Sequence, residues 1–145
     1  MSVMMDLSDT RAVERGGARP RSFSRPFWEA TRERRFVLQY DPRCRKFQFY
    51  PRPASIFDGG PVEWREVAGG GVLFSFTIVR RAPAAFRGHE PFAIGLVSLD
   101  EGVNVMANIV DCAAADLRIG MRLLVAWQPL PDGTNLPMFA PDLSH

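Results

Sequence analysis

Asp41, Cys44, Ser55 and Asp58 stand at the spacing of four metal ligands carried on two facing turns. Two residues separate Asp41 from Cys44, ten separate Cys44 from Ser55, and two separate Ser55 from Asp58. The frame is C-x2-C-x10-C-x2-C with a single cysteine left in it. Structural zinc draws its stability from thiolate and imidazole donors, and a serine hydroxyl stays protonated near neutral pH. One Cys, two Asp and a water form a conceivable zinc site. The competing reading keeps both hairpins without metal. Tyr40, Phe47, Phe49, Tyr50 and Phe57 then pack together, with Asp41 and Asp58 near Arg43 or Arg45. Burial of several aromatics at about 25 cal/mol per Å² of apolar area offsets a lost metal. We adopt the metal-free reading, with zinc lost.

Other reactive residues are sparse. His89 and His145 are the only histidines, and no G-x-S-x-G accompanies them. Cys112 in "VDCAAAD" reads as a small core residue at a strand end, and Asp100 with Glu101 reads as a hairpin turn. Gly69, Gly70 and Gly71 lack the following helix and the Lys-Ser/Thr of a phosphate loop, so they bend the chain into a strand. No catalytic residue is assigned.

The elements that must position the 41–58 frame are short. Residues 1–22 are polar and aperiodic and are expected to be a flexible lead. A helix is predicted from about Pro26 to Arg35 within a segment spanning 23–36, with Ser24 as N-cap and Pro26 in the first turn. Glu29 suits the positive end of its dipole, and Arg32, Arg34 and Arg35 the negative end. Phe27 and Trp28 make an apolar patch that either packs on the body or faces a partner. "RFVLQY" and "KFQFYP" are aromatic-rich strands of a degenerate ribbon over 37–61.

From residue 62 to 145 the pattern is strand after strand. "VLFSFTIV" predicts Val72, Phe74, Phe76 and Ile78 on one face; "FAIGLVSL" predicts Phe92, Ile94 and Leu96; "VNVMANIV" predicts Val103, Val105, Ala107 and Ile109. "LDEGV" and "PDG" mark turns, "AAADLRIGM" a short helical turn, and "RLLVAWQPL" and "NLPMFAP" the last two strands. Five strands fit a Greek-key OB barrel better than a sandwich. The expected fold is mainly β: N-terminal helix, degenerate rubredoxin-like zinc-ribbon subdomain, C-terminal five-stranded OB barrel.

Composition agrees with a globular chain of 145 residues, 46% hydrophobic and 23% charged, at net charge +2. The first 60 residues hold 12 of the 18 basic and 7 of the 16 acidic side chains, so the basic half is the first one. No apolar run approaches the roughly 20 residues of a membrane span. "MSVMMDLSDTRAVERGG" carries charges where a signal peptide needs an apolar stretch. Two cysteines in unlike segments are read as reduced thiols, and the chain as cytoplasmic.

The run from Pro26 to Pro141 resembles a known family. The resemblance is carried by "PFWEATRERRF", the Q-(x)4-C-(x)3-QF-(x)-PRP run from Gln39 to Pro53, "FSFTIV", "LDEGV", "NIVD", "RIGM" and "LPMF", in that order. That family comprises small bacterial and archaeal proteins with an N-terminal helical segment, a rubredoxin-like zinc ribbon and an OB fold, associated with acyl-CoA metabolism. The resemblance implies an auxiliary, non-catalytic subunit paired with thiolase-like or other acyl-CoA-processing proteins. It implies cysteines where this chain has Asp41, Ser55 and Asp58. In that setting Arg80, Arg81 and Arg87 would meet the phosphates of a CoA ester and Phe86 its pantetheine or a partner. Phe27, Trp28, Arg43 and Arg45 would meet the partner protein. A homodimer is compatible with the sequence.

Single-stranded nucleic-acid binding is the rival from another class. It wants a basic groove with exposed aromatics, whereas residues 61–145 hold 6 basic and 9 acidic side chains. Their aromatics are expected on buried faces. An independent enzyme is the third reading, disfavoured by the missing nucleophile and base.

Overall fold

The computed structural model describes residues 21–81 and 91–143. Helix α1 spans Arg25–Thr31 and buries Phe27, Ala30 and Thr31. It ends a turn earlier than the basic run suggests. Arg34 takes a left-handed φ of 56°, the Arg35 N–H returns to the Ala30 carbonyl, and the Arg34 N–H to the Thr31 carbonyl. This is a Schellman closure made without the usual glycine. Ser24 sits at the N-cap, but its hydroxyl donates to the Arg21 carbonyl and makes no cap bond.

Three strands follow: β1 Phe36–Asp41, β2 Lys46–Gln48 and β3 Glu63–Val67, in the order β2-β1-β3. Both pairings are antiparallel, with Tyr40 opposite Phe47 and Phe36 opposite Val67. β3 therefore closes the ribbon's sheet. The five ribbon aromatics do not form one cluster. Tyr40 and Phe47 pair at 4.7 Å as cross-strand neighbours, and Phe49 lies 5.7 Å from Phe27. Phe57 is exposed beneath the Lys46 ammonium. Phe36 links ribbon to barrel, its ring 6.0 Å from Phe27, 5.9 Å from Trp127 and 6.3 Å from Phe139.

The barrel is built from β4 Gly70–Val79, β5 Phe92–Leu99, β6 Asn104–Ile109, β7 Arg122–Pro129 and β8 Asn135–Pro141. It closes in the order β4-β5-β6-β8-β7. β6 and β8 run parallel, and the other pairs are antiparallel. This is the five-stranded OB arrangement expected from the sequence, with a 3₁₀ turn at Ala114–Asp116 before β7. The glycine run acts as predicted. Gly69 has φ +81°, and a Cβ on Gly71 would lie 2.4 Å from the Ser98 carbonyl oxygen.

Two predicted strand faces are corrected. On β4 the buried side chain is Leu73, and a bulge between Leu73 and Ser75 breaks the alternation, leaving Phe74 59% exposed and Phe76 also exposed. On β5 Phe92 is buried as predicted, but the inward set continues through Ala93, Gly95, Val97 and Leu99, while Ile94 and Leu96 are half-buried. β6 follows its predicted face, with Val103, Val105 and Ile109 buried. The barrel interior and the ribbon form one core that runs from Phe27, Phe36 and Leu38 to Leu73, Val97, Leu123 and Phe139.

Helix and barrel are also tied by polar contacts. The Asn135 backbone N–H donates to Thr31 Oγ1 at 3.1 Å and Asn135 Nδ2 to the Thr31 carbonyl at 2.7 Å. Arg32 Nη1 donates to the Asp132 carbonyl at 2.7 Å. Among the described residues no helix is long and apolar enough to cross a membrane.

Candidate functional site

β1 ends at Asp41, the turn to β2 carries Arg43 and Cys44, and the loop before β3 carries Ser55 and Asp58. Those two turns face each other, as the frame requires. Asp41 is fully buried, and its Oδ1 accepts the backbone N–H groups of Arg43 at 2.8 Å and Cys44 at 3.0 Å. Its Oδ2 accepts the Ser55 hydroxyl at 2.6 Å. Ser55 Oγ in turn accepts the N–H groups of Phe57 at 3.0 Å and Asp58 at 3.4 Å. Each knuckle thus donates its i+2 and i+3 amides to an oxygen.

Arg43 spans the two turns. Its Nε and Nη2 donate to Asp58 Oδ2 at 2.6 Å and Oδ1 at 2.9 Å, a two-pronged pair, and Nη2 also donates to the Pro61 carbonyl at 2.8 Å. Nη2 lies 3.5 Å from Asp41 Oδ1. The Ser55 hydroxyl, followed by two backbone amides, holds Asp41 below the usual carboxylate range. The Arg43 fork, aided by the Gly60 N–H, holds Asp58 far below it. Loss of hydration, then the Asp41 hydrogen bond and charge, raises the Cys44 thiol.

Asp41, Cys44 and Asp58 offer ligand atoms within 4.8 Å of one another. The donor set does not fit zinc. Both Asp41 oxygens and both Asp58 oxygens are engaged, the Ser55 hydroxyl is hydrogen-bonded to Asp41, and Cys44 is the single thiol in a frame where structural zinc draws on thiolate and imidazole donors.

Next to the knuckles, two buried amides hold the 49–56 loop onto the sheet. Gln39 and Gln48 are cross-strand partners, 3% and 2% exposed. Gln39 Nε2 donates to the Arg52 carbonyl at 2.8 Å, while its Oε1 accepts the Arg52 N–H at 2.8 Å and Gln48 Nε2 at 2.7 Å. Gln48 Nε2 also donates to the Ala54 carbonyl, and its Oε1 accepts the Ile56 N–H at 2.9 Å. In the sequence these glutamines stand out only through the family likeness. Their position facing each other across a hairpin was the available physical signal.

The loop so held forms one wall of an apolar cleft of about 200 Å³, with Phe27 and Trp28 of α1 on another side and Val105, Met106, Leu136 and Pro137 of the barrel opposite. Phe27 is 3% exposed and belongs to the core, whereas Trp28 is half-buried at the cleft. Arg43 is engaged in the knuckle, and Arg45 is exposed with φ 56°. Arg80 and Arg81 are exposed just beyond β4; Phe86, Arg87 and His89 lie outside the described residues, as does His145. Asp100 pairs with Arg122 at 2.7 and 3.0 Å. The Cys112 thiol is raised by burial. The hydroxyl–carboxylate pair of Ser55 and Asp41 is buried, with the remaining acceptors of both groups taken by backbone amides.

Fold and site together define a ribbon–OB protein whose knuckles are closed by side chains. Its sequence matches two family profiles: the ChsH2 rubredoxin-like zinc ribbon domain over residues 28–54 and the ChsH2 C-terminal OB-fold domain over residues 64–128. The chain belongs to the ChsH2-type zinc-ribbon and OB-fold family. It is 32% identical over 119 residues to a "Probable enoyl-CoA hydratase alpha subunit" of Thermomonospora curvata, matching 79% of this chain but 36% of that protein, and so spans about a third of that relative's length. It is 28% identical over 106 residues to a "DUF35 domain-containing scaffold protein" of Pyrococcus furiosus, covering 72% and 77% of the two chains. A solved chain described as "Ltp2-ChsH2(DUF35) aldolase" superposes with TM-score 0.76 at 28% identity, covering 86% of this chain and 98% of that one.

Proposed function

We propose that this chain is a non-catalytic accessory subunit that docks on a thiolase-like enzyme acting on CoA esters, with a CoA ester as a further ligand. The observation that carries the reading is the near-complete overlap with the solved chain of an aldolase described by two joined names, Ltp2 and ChsH2(DUF35). The scaffold name of the Pyrococcus furiosus relative and the hydratase name of the Thermomonospora curvata relative support the same setting. The Ser55–Asp41 pair is buried and tied into the knuckles by backbone amides, which suits a subunit that leaves chemistry to its partner.

In this reading the helix (23–36) and ribbon (37–61) present Trp28 and Arg45 to the partner, with Phe27 supporting that surface from beneath and Arg43 bracing the two turns at its edge. The barrel, which begins at β4 and not at residue 62 because β3 pairs with β1 in the ribbon's sheet, offers Arg80 and Arg81, joined by Phe86 and Arg87, to the CoA phosphates and pantetheine. The exposed Phe74 and Phe76 are the one observation that favours single-stranded nucleic acid, since OB faces use such rings for stacking. β4, β5 and β6 contain no Lys or Arg to follow a phosphate backbone, which leaves that reading second.

The test mixes the purified chain with a thiolase-like enzyme encoded in the same genome and follows CoA-ester turnover by each alone and by the mixture. The proposal expects no turnover by this chain and a changed rate or stability of the enzyme in the mixture. Turnover by this chain alone, or a salt-sensitive shift of a labelled oligonucleotide with no effect on the enzyme, contradicts it.

A further inference from the structure

We propose that the Arg43 guanidinium stands in the ribbon for the metal: it is the cation that ties the two knuckles together, and the ribbon takes up no structural zinc. A zinc ribbon joins its turns by one cation that draws four donors inward. Here the cation is covalently part of the first turn, and its ligands are the carboxylate and backbone oxygens of the second.

Every oxygen in the frame is accounted for in that arrangement. Asp41 takes two amides of its own turn on Oδ1 and the Ser55 hydroxyl on Oδ2. Ser55 Oγ, its hydroxyl directed at Asp41, accepts the Phe57 and Asp58 amides. Asp58 takes Arg43 Nε and Nη2, and its Oδ1 also accepts the Gly60 N–H at 2.8 Å. A divalent ion bound by Asp41, Cys44 and Asp58 would sit against a guanidinium that is 3.5 Å from Asp41 and 2.6 Å from Asp58, where like charges repel.

The second turn is shaped for the guanidinium. A Cβ on Gly60 would fall 2.5 Å from Arg43 Nη2 and 2.7 Å from its Cζ, so the missing side chain at residue 60 is the space the cation fills. Ser55 fixes that turn by donating its N–H to the Gly60 carbonyl at 2.8 Å and accepting the Gly59 N–H on its own carbonyl at 2.9 Å. Serine and two aspartates at cysteine positions then form one coordinated change, and a planar fork with several fixed donors is suited to it where a lysine point charge is not. This inference is independent of any partner: it concerns what keeps the ribbon folded.

The full chain, produced in zinc-supplemented medium and dialysed into zinc-free buffer, is measured for bound metal and for its melting temperature with and without a chelator. The expected result is zinc far below one equivalent and an unchanged melting temperature. One tightly held equivalent, or a melting temperature that falls on chelation, overturns the proposal. Arg43→Ala and Gly60→Ala are each expected to lower the melting temperature by several degrees, and the Gly60→Ala loss should largely vanish when Arg43 is already alanine, because its Cβ acts by displacing the guanidinium. Additive losses overturn it. If Arg43→Ala does not fold, Arg43→Lys supplies the same comparison, with a loss expected because the fork is gone; a lysine variant as stable as the native chain contradicts the assigned geometry.

Discussion

Replacing Gln39 by Leu removes the centre of the amide network that holds the 49–56 loop. Three hydrogen bonds are lost at once: Nε2 to the Arg52 carbonyl at 2.8 Å, and to Oε1 from the Arg52 N–H at 2.8 Å and Gln48 Nε2 at 2.7 Å. Arg52 is exposed, so water can reach its backbone, and each of those two losses is worth about 0.5–1.5 kcal/mol. The Gln48 donor stays buried and loses a partner, at about 1–3 kcal/mol. Leucine recovers part of this by burying its apolar surface, and the net expectation is about 2–4 kcal/mol of destabilisation. At about 2–4 °C per kcal/mol for a chain of this size, a loss near 3 kcal/mol lowers the melting temperature by roughly 6–12 °C. Urea unfolding gives the free energy, and amide exchange at Arg52 and Ile56 shows where the loop opens. A change below about 0.5 kcal/mol with unaltered exchange at both amides would refute the network's role.

Two further predictions follow from the geometry. Asp58 is depressed in the folded chain from an ordinary value of 3.8, so its contribution is fully present above that value and disappears as pH falls through the lower folded one. The melting temperature of the native chain should therefore exceed that of Asp58→Asn at pH 6, and the gap should narrow below about pH 4; a gap constant down to pH 2 contradicts the Arg43 pairing. Gly95→Ala places a Cβ 2.8 Å from side-chain atoms of Ile109 and Leu73 inside the barrel, and overpacking of this kind destabilises by about 1–3 kcal/mol, measurable by urea unfolding.

Much of the fold was legible because its punctuation is chemical. Gly69, Gly102 and Gly133 have positive φ where the sequence called for bends and turns, and β6 keeps simple alternation. β4 was misread because the bulge at Phe74 shifts its inward phase, which periodicity alone does not report. The end of α1 was hidden for a related reason: Arg34 takes the left-handed position that a glycine would have advertised. β3 gave no signal, since Glu63, Arg65 and Glu66 face solvent and the strand is fixed by pairing with β1.

At the site, the facing turns and the proximity of Asp41 and Asp58 to Arg43 were readable from spacing and charge. The means of closure was not. Aromatic packing was expected to replace the metal, whereas the rings are divided between β1–β2 and α1, and side-chain hydrogen bonds bridge the turns. A serine donating to a buried aspartate 14 residues away is a tertiary fact with no local pattern.

Docking of this chain on a thiolase-like enzyme, as proposed, is read from the solution mass of an equimolar mixture of the two. Light scattering coupled to size exclusion should report a stable complex containing both chains, weakened by Trp28→Ala while that variant keeps the native melting temperature within a few degrees. Two separate peaks at the masses of the unmixed proteins, at concentrations well above those in a cell, would contradict it.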